Sequence, residues 1–281
     1  MGAASGGRPL FTGWAATLPP GEMEGSNVSM WEQWFAALPP VEQRTFWEDF
    51  YGKLYRAWFE EDRWISYFEG LGTTFQVTLM ALAIGVVLGV LVALIRTAHD
   101  QQRPGRRNPL LMVLDRVCRL YVTVIRGTPM MVQLMIMGFV IFKSSRQFNL
   151  VGALTLGINS GAYVAEIIRG GLMSLDPGQE EAGRSLGLNY MDTMRFIIIP
   201  QAFKAILPAL GNEFIVLLKD TSLIYVLGGQ EMVYWARSII SKTYEPMFPF
   251  VITALIYLAM VLLFTWLQNK LERRLRQSDR R

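Results

Sequence analysis

Between Leu71 and Ile95 no charged side chain occurs for 25 consecutive positions. Coiled as a helix, that run is about 37 Å long at roughly 1.5 Å per residue, enough to cross a hydrocarbon layer with some tilt. Inside lipid every backbone N–H and C=O needs a partner within the segment, so the run predicts a spanning helix. A second uncharged run covers the 24 residues from Pro246 to Asn269. Three stretches of mixed character lie between them: Leu110 to Phe142, Asn149 to Leu175 and Met194 to Lys219. With 52% hydrophobic and 18% charged residues and a positive mean hydropathy, the 281-residue chain is too apolar for an ordinary soluble domain. The expected fold is an all-α polytopic membrane protein with about five transmembrane helices.

Several functions are excluded or disfavoured by residue supply. Cys118 is the one cysteine, so no internal disulfide forms. His99 is the one histidine, so a His-based metal site or a Ser-His-Asp triad is not expected. No Gly-x-x-x-x-Gly-Lys-Ser/Thr phosphate loop occurs, so the chain is not expected to hold ATP in that way. No catalytic residue, metal or nucleic-acid partner is expected.

Residues 1–65 read as an extracytoplasmic or interfacial extension, 66–275 as the transmembrane domain and 276–281 as a basic tail. In the extension Phe46, Phe50, Leu54 and Trp58 recur every four residues, an aromatic stripe suited either to the headgroup layer or to packing on other helices. Gly85 and Gly89, and again Gly157 and Gly161, have the small-xxx-small spacing of close helix contact. Arg126-Gly127-Thr128-Pro129 interrupts the second span. Such a break reads as a gate or coupling hinge, or as a tolerated kink with Arg126 snorkelling. In the third span Asn159, Tyr163 and Glu166 share one helix face. A carboxylate at that depth faces the protein interior or water; it can also simply pair with Arg169 at i+3. Asn212, Glu213, Lys219 and Asp220 crowd the end of the fourth span, as candidates for a solute path or as a solvated surface pair of Lys219 with Asp220. Residues 221–245, with Tyr225, Tyr234 and Trp235, read as interfacial or re-entrant.

Charge sets the expected orientation. The 96–108 loop carries Arg96, Arg103, Arg106 and Arg107 against Asp100, and residues 270–281 carry six basic and two acidic side chains. Residues 1–70 hold five basic and ten acidic ones. Counting Lys and Arg near the spans places the loop and the C-terminus in the cytoplasm and the N-terminus outside. Lys143 and Arg146 then fall in an outer loop, against the trend.

The segment Asp176 to Gly187 lies between two apolar stretches yet is polar. Its Pro177, its early Glu180 and Glu181 and its terminal Gly187 predict a short helix with Pro177 at the first helical position. Ala182 and Gly183 have almost no side chain, which leaves the backbone open to close approach by another protein. Glu181-Ala182-Gly183, Gly187, Ile197 and Ile199-Pro200 resemble the Glu-Ala-Ala…Gly…Ile-x-Leu-Pro loop of membrane subunits of ATP-binding-cassette importers. Gly183 stands for the second Ala and Ile199 for the Leu. Arg126-Gly-Thr-Pro129 with Gln133-Leu134, Tyr163…Glu166…Arg169-Gly170-Gly171, and Leu218-Lys-Asp-Thr-Ser-Leu223 are similar to the polar amino-acid subfamily.

The resemblance spans residues 66 to 275 and implies a permease subunit of a type I importer in the cytoplasmic membrane, translocating a polar amino acid by alternating access. It implies that the loop is a cytoplasmic coupling helix in which Glu181, Ala182, Gly183 and Gly187 dock a cytosolic ATPase, with Glu180 and Arg184 at the rim. ATP and Mg would then sit on that partner, and this chain would bind no cofactor and catalyse no reaction. An extracytoplasmic solute-binding protein and a second permease subunit complete the implied assembly, embedded in membrane lipid. A secondary transporter driven by an ion gradient is the alternative, but such proteins show repeated helix sets and none is visible here.

Overall fold

A computed structural model describes residues 30–102 and 108–278. Arg103, Arg106 and Arg107 of the basic loop, and Arg280 and Arg281 of the tail, lie outside the described residues.

Helix α1 spans Met30–Ala36 and α2 spans Phe46–Trp58. Thr45 opens α2 with a capping box: its hydroxyl accepts from Glu48 N while the Glu48 carboxylate accepts from Thr45 N at 2.8 Å. A corner follows in which Glu61 and Asp62 both take left-handed φ, 55° and 52°. Arg63 holds this corner; it is buried, donates to the Arg56 carbonyl and pairs with Glu60. Two such non-glycine residues in sequence are uncommon and cost strain, which the buried arginine offsets.

The first span, α3, runs Arg63–Asp100 and overshoots the uncharged run at both ends. Helix α4 (Pro109–Gly127) and α5 (Met130–Ile136, continued by a π turn over Met137–Ile141) together form the second. They are not one kinked helix: the two pieces meet at 107°. The third span is α6, Phe148–Met173. Helix α7 (Gly178–Ser185) is followed by α8 (Tyr190–Thr193), a π turn (Met194–Ile198) and α9 (Ile199–Asp220), which make the fourth. A 3₁₀ segment (Thr221–Leu227) and α10 (Met232–Thr243) lead to α11, Met247–Ser278. Among the described residues four helices are long and apolar enough to cross a membrane, or five with the bent pair counted as one.

Helices α3 and α6 form the axis of the bundle and run in the same direction. Gly85 lies on Ser160 and Gly89 on Val164, while Gly157 lies on Ile84. A Cβ on Gly89 would come within 2.5 Å of Val164 Cγ1, and one on Gly157 within 2.7 Å of Ile84 Cβ. Both small-residue pairs are therefore used, one from each helix, to bring the backbones together. Helix α9 runs back along α6, with Ala202 and Ile206 against Gly171. Helix α11 runs opposite to α9: Gln268 donates to the Pro208 carbonyl and Phe264 packs on Phe214 at 4.9 Å. The polar α7 thus emerges at the same end as the loop after α3 and the C-terminal end of α11.

Much of the segment 221–245 packs inside the bundle. Thr221, Ile224, Leu227, Met232 and Ala236 are buried, and Gly70 of α3 touches the Met232 backbone. Glu231 has no exposed surface; it caps α10, accepting from Val233 N and Tyr234 N, and accepts also from the Tyr257 hydroxyl. Burial pushes its carboxyl up to about 7 despite those three donors. The aromatic stripe of α2 divides. Phe50, Leu54 and Trp58 pack on Tyr67, Ala236, Phe248 and Ile252, whereas Phe46 is 73% exposed.

Candidate functional site

Two polar features stand out on this scaffold. The first is the break after Gly127. Proline at 129 has no N–H, so carbonyls at the end of α4 lose their helical partners. Gln133, one turn into α5, supplies the missing donor: its Nε2 reaches Ile125 O at 2.8 Å, Thr128 O at 3.1 Å and Thr128 Oγ1 at 2.8 Å. The Thr128 hydroxyl in turn donates to Val124 O at 2.9 Å. Gln133 Oε1 accepts from Asn159 Nδ2 of α6 at 3.0 Å, and the Arg126 guanidinium lies 5.1 Å over the Tyr163 ring. Arg126, Thr128, Asn159 and Tyr163, assigned separately to a gate and to a path, therefore form one cluster. Gln133, quoted in the sequence only as part of the motif and given no role there, joins them; asking which side chain could serve the carbonyls freed by Pro129 would have assigned it. Arg126, Gly127, Thr128, Pro129 and Tyr163 all lie on an exposed face of the single chain.

The remaining path candidates scatter. Glu166 pairs with Arg96 of α3 and not with Arg169, which instead approaches Asp100 at 3.8 Å. The i+3 partner loses because Arg96 arrives from the facing helix into the same buried seam. Glu213 is buried between helices and accepts from Ser160 Oγ at 2.7 Å, so Ser160 is a further partner unseen in the sequence. Asn212 and Lys219 are exposed, and Asp220 is half-buried beside them.

The second feature is α7. Pro177 sits just before the helix, one place earlier than predicted, and Gly187 closes it with φ +79°. Glu180 and Arg184 pair along its surface. Gly183, however, faces inward. It is buried, and a Cβ there would meet Thr193 Cγ2 at 2.7 Å. Its missing side chain lets α7 settle on α8, and the Leu188 N–H returns to its carbonyl at 3.1 Å. Glu181 and Ala182 point outward, with Leu186 77% exposed beside them.

Residues 111–277 match the family described as the binding-protein-dependent transport system inner membrane component. The chain belongs to that family. This permease is 35% identical over 216 residues to the arginine transport system permease protein ArtQ of Bacillus subtilis, covering 75% of this chain and 93% of the relative. It is 34% identical over 215 residues to the glutamine transport system permease protein GlnP of Escherichia coli K12, covering 74% and 92%. Among solved structures, a crystal structure of an amino acid ABC transporter with histidines matches with TM-score 0.67 at 42% identity over 74% of the permease and 94% of that chain. The MetNI methionine ABC transporter shares the fold, with TM-score 0.62 at 18% identity over 77% of the permease and 99% of that chain. By its family the permease is a membrane transport component.

Proposed function

We propose that this chain is the pore-forming permease subunit of an ATP-driven importer that carries a polar amino acid across the cytoplasmic membrane by alternating access. The observation that carries the reading is α7, a polar helix projecting from the end of an apolar bundle and anchored by Gly183 to the root of α9. A displacement of α7 moves α8, the π turn and then α9, which is joined to α6 through Glu213 and Ser160. Helix α7 is in this reading the cytoplasmic coupling helix. Glu181 and Ala182 meet a cytosolic ATPase, with Glu180 and Arg184 at the rim, Gly187 closing the helix and Gly183 holding it in place. ATP and Mg are held by that ATPase, which supplies the force; this chain binds neither. The N-terminus lies outside and the C-terminus in the cytoplasm, as the basic loop and tail favour.

Exposed Arg126 and Tyr163, stacked on one another, are costly towards hydrocarbon, so a second permease subunit closes over that face. The cluster around Gln133 then lines the gate between the two halves, and a solute-binding protein delivers the amino acid from outside. Differential affinity of nucleotide for the closed ATPase pair drives the cycle. The reading is tested by uptake in vesicles holding the assembled complex. Transport should require ATP and persist when ion gradients are collapsed; transport driven by a sodium or proton gradient without ATP would overturn it.

A further inference from the structure

Five of the chain's eight tryptophans fall between residues 31 and 64, and Trp31, Trp47 and Trp64 among them are exposed. All five precede the residues matched by the family. Helices α1 and α2 form an antiparallel hairpin held by rings. Phe35 stacks on Tyr55 at 4.6 Å, Trp34 meets Tyr51 edge-on at 6.5 Å and Trp31 stacks on Phe59 at 5.6 Å. Trp31 also meets Trp34 at 6.1 Å, Tyr51 stacks on Trp47 at 6.2 Å, and Trp47 meets Phe46 at 5.3 Å. The rings of Phe46, Trp47, Tyr51, Trp34, Trp31 and Phe59 are thereby joined into one surface. Phe46 and Trp47 are 73% and 62% exposed, and Trp31, Tyr51 and Phe59 are exposed as well, so this surface is bare in the single chain. A contiguous exposed apolar patch marks an interaction face.

The layout of α2 says what this face meets. Successive residues turn by roughly 100° about a helix axis. Trp47 and Tyr51 therefore share one side of α2, and Asp49, Lys53 and Arg56 lie on the opposite one. On one flank Phe50 and Leu54 pack on the bundle, and on the other Tyr55 packs on α1. The charged side is the one that Lys53 ties to Glu245, in the loop joining α10 to α11. The neighbours of α2 set its level. It packs on Phe248 and Ile252, in the first two turns of α11 and inside the uncharged run that begins at Pro246. It packs also on Tyr67, just before the uncharged run of α3. A helix at the start of two spans, with rings on one side and charges on the other, has the form of one lying in a membrane interface, where tryptophan and tyrosine are favoured. The other occupants fit less well. The face given above to a second permease subunit carries Arg126 and Tyr163 on α4 and α6, whereas α2 packs chiefly on α3, α10 and α11. A soluble protein would have to descend beside the apolar start of α11 to reach Trp47.

We propose that α1 and α2 lie flat in the headgroup layer at the end of the bundle opposite α7, with Trp31, Trp47 and Tyr51 turned down to the acyl chains and Asp49, Lys53 and Arg56 turned up to water. The hairpin is then a lipid-anchored brace across the first turns of α3 and α11. The full chain in nanodiscs of phosphatidylethanolamine and phosphatidylglycerol, carrying Cys118→Ser so that a single introduced thiol takes a nitroxide, tests this. A label on Trp47→Cys should be relaxed several-fold more by oxygen than by a water-soluble nickel chelate, and one on Lys53→Cys should show the reverse. Equal, water-like relaxation at the two positions would overturn the proposal. So would exclusion of both reagents from the Trp47→Cys label, which would mean that a protein surface covers the face. A second measurement avoids labelling altogether. In vesicles of the same two lipids, with the phosphatidylethanolamine brominated on its upper acyl carbons, Trp31→Phe and Trp47→Phe should each reduce the quenched fraction of tryptophan emission. A quenched fraction unchanged in both variants would place these rings away from lipid and end the proposal.

Discussion

Gly89 and Gly72 lie on one helix and carry opposite demands. At Gly89 an added Cβ enters Val164, while at Gly72 nothing lies within 4 Å. The same methyl group therefore acts oppositely at the two positions. Gly72→Ala should be neutral or slightly stabilising, since alanine is the better helix former by up to about 1 kcal/mol. Gly89→Ala should force α3 from α6, and overpacking of a tight seam costs about 1–3 kcal/mol. Thermal unfolding of the purified permease in detergent checks both; a Gly89→Ala protein as stable as Gly72→Ala would mean that the seam yields without cost. The glycine spacings of this seam are legible in the sequence because a close contact needs small residues at a fixed period, whatever the partner is. The partner of Glu166 is not legible. Arg169 stands three residues away and Arg96 seventy, and only the register of α3 against α6 decides between them.

At the scale of the element, α7 shows how a correct location can carry a wrong direction. The polar composition, the proline and the closing glycine place an eight-residue helix between two spans. Which side of it meets the protein depends on α8, whose Thr193 packs against Gly183. A bulky replacement of Gly183 would therefore lift the helix off its own chain, and under the proposed function any loss of the ATPase would follow for an indirect reason. Leu186 is the cleaner probe, because its exposed side chain packs on little in this chain. Leu186→Asp should leave folding and membrane insertion intact while reducing recovery of the ATPase on the tagged permease about tenfold or more, as burying an unpaired carboxylate in an interface does. Full recovery of the ATPase would place the contact elsewhere. The break after α4 teaches the same lesson. Pro129 announces it, but the 107° turn and the service of Gln133 to three acceptors emerge only when α6 presents Asn159 to the same amide.

For the whole molecule, the question is whether residues 30–62 are an appendage or part of the bundle. The charge and proline content of the N-terminal region reads as a separate extension, since no apolar run long enough to span occurs there. Yet α2 packs on the first turns of α3 and α11. Phe50 meets Phe248 at 5.0 Å and Trp58 stacks on Tyr67 at 5.5 Å, and Tyr67 donates from its hydroxyl to the Ala57 carbonyl. Lys53 with Glu245 and Lys242 with Glu61 add ties to α10 and its following loop, though such exposed pairs contribute little beside the rings. The helix therefore covers apolar surface on Tyr67, Phe248 and Ile252 that would otherwise be left bare. Removing residues 1–58 should lower the midpoint of thermal unfolding and raise proteolysis of the α10–α11 loop, while the seam between α3 and α6, remote from the cut, remains intact. Protease mapping with a melting curve checks both halves of this expectation. A truncated permease that melts with the full chain would show that lipid covers Tyr67 and Phe248 as well as α2 does.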